Sequence, residues 1–209
     1  LQALLAADDE LPALNALWAL YQIAGLDDAT GLKSLGHASP TVRAWAVRLL
    51  ADDHEVSPPV AARLASLAAT EPNVHVRSQL ACSARRLPAE LGLPIVAELV
   101  RRDEDAADPH LPLLLWWAIE SQCGEHPEQV LALLKEKDAW GRQIVSEYLL
   151  ARLMRRFAQS GSRAELLHCA ALLKTAPSKE AAAKLLEGFE EAFQGRSLAG
   201  APAELLEAL

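Results

Sequence analysis

The chain has 209 residues; 51% are hydrophobic, 23% charged and 5% aromatic, with 10 Gly, 12 Pro and a formal net charge of −8 at pH 7. The apolar content excludes a disordered chain, and the Gly and Pro counts exclude collagen-like or low-complexity sequence. The acidic balance argues against non-specific nucleic-acid binding, whose affinity comes from neutralising phosphates.

Ala and Leu dominate and β-branched residues are sparse, so an all-α fold is expected. Apolar residues recur at three- and four-residue spacing nearly throughout. The pattern predicts helices over Leu11–Ala24, Ala29–Leu35 and Pro40–Leu50, the last opened by Ser39 as N-cap and Pro40 at its first position. Pro59–Ala69, Val74–Arg86, Ala89–Arg101, Leu111–Cys123, Pro127–Glu136, Ala139–Ala158, Arg163–Lys174 and Lys179–Phe193 follow, with a last fragment from Ala203. Between them lie short breakers such as HASP, HEVSPP, TEPN, EDAADPH and TAPS, an alternation that indicates helical hairpins. The longest apolar run, in LPLLLWWAI, falls short of the roughly 18 residues of a membrane span, so no direct membrane insertion is expected. A chain that starts at Leu1 and stops within AELLEAL reads as an excerpt from a longer protein.

The breakers repeat. EPNVHVRSQLACS from Glu71 aligns without gaps on DPHLPLLLWWAIE from Asp108, and HASPTVRAWAV from His37 aligns on the segment from Glu71; EKDAWGR from Glu136 is a looser fourth copy. Two helices per unit at this interval are the signature of a stacked α-solenoid, in which one hairpin cannot bury its apolar faces alone. In three of the four copies an acidic residue or His stands six positions before an Arg: His37/Arg43, Glu71/Arg77 and Glu136/Arg142. A turn carboxylate can accept from a helix N-terminus and pair with an Arg of the next unit, so these residues are expected to form an inter-repeat ladder. Leu114 takes the Arg place in the remaining copy, whose helix is apolar nearly all round and is expected to be the most enclosed.

EPNVHVRSQLA and SPTVRAWAVRLL resemble HEAT repeats, helix pairs with an Asp-Pro-x-x-x-Val-Arg turn before the second helix. The resemblance covers residues 10–160, and later residues join only by helix-pair length. It implies one α-α superhelix over residues 1–209, a HEAT-like solenoid of about five to six helix pairs. ALWALYQIAGLDD, SPTVRAWAVRLLADD and RRDEDAADPHLPLLLWWAIES are also similar to the HEAT segment of large planctomycete and verrucomicrobial proteins described as membrane-bound dehydrogenases or haem-binding CxxCH proteins. That resemblance implies a parent with a dehydrogenase-like β-propeller before this segment and a c-type cytochrome domain after it. The parent would be periplasmic or membrane-associated, with haem c held outside this segment.

Chemistry is harder to find. GxSxG, HExxH, GxGxxG and a Walker A loop do not occur, so no catalytic residue is nominated. Cys82, Cys123 and Cys169 form no CxxC or CxxCH, and Cys123 with His126 offers two ligands, too few for structural zinc, so neither metal nor cofactor is expected here. The sequence leaves open a disulfide between two of the three cysteines. Arg152, Arg155 and Arg156 read as a solvated face rather than a phosphate site. Trp45, Trp116, Trp117 and Trp140 lie on or open second helices, the set that lines the concave side of a solenoid. A partner surface of Trp45, Arg48, Arg77, Trp116, Trp117, Glu120 and Trp140 is therefore the candidate site, since Trp and Arg dominate interaction hot spots. The expected role is a non-catalytic scaffold for another protein or a neighbouring domain. The alternative is an enzyme on a HEAT-like frame, such as a DNA glycosylase, which needs a basic channel, or a bilin lyase.

Overall fold

A computed structural model describes residues 1–7 and 9–209. About 70% of the chain is helical, and no strand occurs among the described residues. The helices are α1 (Gln2–Leu5), α2 (Glu10–Ala24), α3 (Asp28–Ser34), α4 (Pro40–Leu50), α5 (Pro58–Thr70), α6 (Val74–Ala84), α7 (Ala89–Leu99), α8 (Leu111–Glu120), α9 (Pro127–Ala132), α10 (Leu150–Ser160), α11 (Arg163–Thr175), α12 (Lys179–Phe193) and α13 (Ala203–Leu206). The starts follow local chemistry. Asp27, Ser39, Ser57, Asn73, Ser162 and Ser178 each accept a backbone N–H of the first turn they precede, satisfying donors that a helix leaves orphaned.

Contacts divide the chain into two compact units: Leu1–Leu99 with Pro109–Ala118, and Val100–Asp108 with Ile119–Leu209. In the first unit α4 packs between α2 and α6, while α5 packs between α3 and α7. Hairpin contacts of α3 with α4 and of α5 with α6 join these two layers. The apolar stripes meet between them, where Leu17, Leu35, Val47, Leu64, Leu80 and Ile95 are fully enclosed. In the second unit α10 packs on both α11 and α12, and α11 also carries α13, around Ile144, Met154, Phe157, Cys169 and Leu185.

One expectation is corrected. The long helix over Ala139–Ala158 does not form as one rod: a 3-10 turn covers Lys137–Gly141, Arg142 is extended, and helix starts at Gln143, passing through a π-helical turn over Val145–Leu149 before the regular helix from Leu150. Side-chain demands override the apolar period there. Trp140 is drawn inward to donate its indole N–H to the Leu134 carbonyl at 2.8 Å, and Asp103, forty residues upstream, accepts the Gln143 N–H at 2.8 Å in place of a local cap. As its apolar composition leads one to expect, α8 is well enclosed, with six of its ten residues buried, Leu111, Leu115 and Trp116 among them, although Trp117 is 46% exposed.

Candidate functional site

The turn arginines do a structural job in the first unit. Arg43 donates to both oxygens of Glu71 at 2.6 and 2.8 Å, a bidentate pair between successive hairpins, and Glu71 also accepts the Asn73 N–H at 2.9 Å. Arg43 donates to the His37 and Ala38 carbonyls as well, and Arg77 donates to the Glu71 and Pro72 carbonyls. The same guanidinium thus staples the same turn, five and six residues upstream, in two consecutive copies. Burial raises the Glu71 carboxyl, but the Arg43 and Asn73 hydrogen bonds and the Arg43 and Arg77 charges outweigh it, so the group titrates below its ordinary range. His37 serves its own turn: Nδ1 accepts the Ser39 N–H and Nε2 meets the Ala7 carbonyl. Glu136 is exposed, and Arg142 turns to Asp103 and Asp138 instead, because its backbone is extended where a fourth copy would be helical.

Above this frame, α2, α4, α6 and α8 carry a strip of rings and cations. Trp18 and Trp45 meet edge to face, centroids 5.0 Å apart, and the Arg48 guanidinium lies 5.2 Å from the Trp45 ring centre. The buried Trp18 indole nitrogen has no hydrogen-bond partner among the described residues. Tyr21 donates to Asp52 at 2.8 Å, holding that carboxyl below its ordinary range, and Asp52 pairs with Arg86 at 3.0 Å. Arg86 also reaches the Asp52 carbonyl and lies 3.4 Å from His54 Nε2. His54 holds φ +65°, a left-handed backbone uncommon outside glycine, which turns the chain at the edge of the strip. Beside it opens a groove of about 480 Å³ lined by His54, Cys82, Arg85, Arg86, Leu114 and Trp117.

No family model, curated protein or solved structure matches this chain.

Of the residues expected on a partner surface, Trp45 is half-buried while Arg48 and Trp117 are exposed, all in the first unit. Arg77, Trp116 and Trp140 are buried, at 5%, 8% and 3% exposure, so they are corrected to interior roles. Glu120 is half-buried and falls in the second unit. Trp18, Tyr21, Arg85 and Arg86 were missed. The signal was present, since Arg86 stands 34 residues after Asp52, one repeat on, with opposite charge. All three cysteines are free. Burial pushes the Cys123 and Cys169 thiols up to about 12. Burial also raises Cys82, but Arg48 and Arg85 oppose it. Among the described residues no group of three or more His, Cys, Asp or Glu is placed to hold a metal ion, and no helix is long and apolar enough to cross a membrane.

Proposed function

We propose that this chain is a non-catalytic HEAT-like scaffold whose first unit docks a protein, or a neighbouring domain of its own polypeptide. The observation that carries the reading is Trp117, a large ring left 46% exposed beside Arg85 in the groove, with Arg48 and Trp45 continuing the strip. A ring flanked by cations in a shallow groove is the composition of an interaction hot spot. The two-layer packing of hairpins and the repeated Arg staple support the HEAT-like reading, because they give a rigid frame on which such a strip keeps its spacing.

Within a dehydrogenase–cytochrome parent, the scaffold holds the two redox parts at a fixed separation, outside the cytoplasmic membrane, with haem c ligated by the cytochrome part. The test begins with the full-length gene, where a signal peptide upstream and CxxCH downstream are expected. Titration calorimetry of this chain against each separately expressed neighbouring domain then measures docking. Trp117→Ala weakens that docking about tenfold or more while the melting temperature holds, as expected of an exposed hot-spot ring. If Trp117→Ala and Trp45→Ala both unfold the chain, or neither changes docking, the reading fails. Tight, salt-sensitive gel retardation of DNA would instead favour the glycosylase alternative.

A further inference from the structure

Four of the chain's six lysines, Lys135, Lys137, Lys174 and Lys184, converge on one groove of the second unit. It consists of two adjoining depressions of about 620 and 380 Å³ that share Lys137, Trp140 and Pro177. The groove lies where the backbone abandons the regular helix: the 3-10 turn and the π-helical turn form one wall, and the α11–α12 connection forms the other. Breaks of this kind in an otherwise helical pattern concentrate at functional sites. The floor is apolar, made by Leu134, Trp140, Leu150 and Leu172. The lysines are exposed on the rim. Among the described residues Lys135, Lys137 and Lys174 have no carboxylate at ion-pair distance, whereas Lys184 pairs with Glu187 at 3.0 Å, and Glu180 is a carboxylate of the lining.

We propose that this groove binds an extended acidic segment of a partner protein, with carboxylates meeting the lysine rim and intervening apolar side chains on the floor. A local cationic rim on a chain of net charge −8 is the charge complement of such a segment. Nucleic acid fits less well, because Trp140 is only 3% exposed and offers no face for a base to stack on. A compact phosphate would leave the apolar floor unused. The inference involves different residues in a different unit from the strip around Trp117, and it stands or falls separately from the scaffold reading.

The test uses the whole chain and an array of fluorescein-labelled peptides in which Glu alternates with Leu, Ile or Phe, read by fluorescence anisotropy. Saturable binding is expected for members of the array. It weakens roughly tenfold when Lys135, Lys137 and Lys174 are together changed to Glu, and it is unaffected by Arg48→Glu with Arg85→Glu. Carbodiimide coupling of the bound peptide, followed by mass spectrometry, then places amide crosslinks on Lys135, Lys137 and Lys174, with exposed Lys33 of the first unit as the internal reference. The proposal is overturned if no peptide binds saturably, if Lys33 is crosslinked as heavily as the groove lysines, or if a single-stranded oligonucleotide of equal charge displaces the peptide at equal concentration.

Discussion

Glu71 is 1% exposed, and its charge is tolerated there because Arg43 and the Asn73 N–H supply three hydrogen bonds to it. A buried pair of this kind is costly to break and cheap to replace, since removing one partner strands the other charge in the interior. Glu71→Ala is therefore expected to cost about 3 kcal/mol in urea denaturation, and Arg43→Ala a comparable amount, whereas Arg43→Met with Glu71→Leu costs less than either, because no charge is stranded and only the Asn73 N–H and the turn carbonyls lose partners. The pair is pH-dependent because, against the opposing effect of burial, the Arg43 and Asn73 hydrogen bonds, joined by the charges of Arg43 and Arg77, depress the Glu71 carboxyl below its ordinary 4.5. A depressed carboxyl contributes stability that is fully present above its unfolded value and is lost as pH falls through the folded one. The stability gap between wild type and Glu71→Ala is thus expected to be full at neutral pH and to shrink on acidification below 4.5, measured as paired denaturation midpoints across pH. An unchanged gap in acid would mean that packing, not charge, carries the pair.

Helices approach each other most closely where a glycine lets backbone meet backbone, and this happens once in each unit. A Cβ on Gly92 of α7 would strike the Ala84 carbonyl at the end of α6, and one on Gly188 of α12 would strike the Ala151 carbonyl of α10. An exposed helical Gly→Ala change gains up to about 1 kcal/mol from propensity. Here the obstacle is rigid backbone, so the clash prevails, and Gly188→Ala is expected to lower stability by about 2 kcal/mol in thermal denaturation. Gly141→Ala, with open space around the added carbon, is the control and stays near neutral. The cap that starts the irregular segment gives a second measurement: Asp103→Ala, which frees the Gln143 N–H, costs about 1 kcal/mol. The Ser39 cap was legible in the sequence because the donors it satisfies, at Thr41 and Val42, lie two and three residues on. Asp103 and the Trp140–Leu134 bond were not, since their partners are set by tertiary packing and the apolar period continues straight through Ala139–Ala158. The strip around Trp45 and Trp117 was half legible for the same reason: helical period places a ring on a face, but only packing decides that Trp117 stays out and adjacent Trp116 goes in.

Across the whole molecule the three cysteines form a ready set of probes, because their surroundings differ in a way the spacing Cys82, Cys123, Cys169 does not reveal. Cys82 lines the groove of the first unit, half-buried, and burial raises its thiol above the ordinary value against the opposing charges of Arg48 and Arg85. Cys123 and Cys169 belong to the second unit, are at most 1% exposed, and titrate near 12 because burial disfavours their thiolates. A thiol-specific disulfide reagent at mildly alkaline pH is therefore expected to modify one thiol per native chain and three after denaturation, since only the thiolate attacks. Added denaturant then separates the units, because each buried thiol reacts only when its surroundings open. Cys123 and Cys169 are expected to lose protection with the same denaturant dependence, as residues sharing one core must. Mass-spectrometric peptide mapping of the modified chain checks this directly. Labelling of Cys169 at concentrations that leave Cys123 protected would show that α11 opens without the rest of its unit, and the second unit would then be two cooperative pieces rather than one.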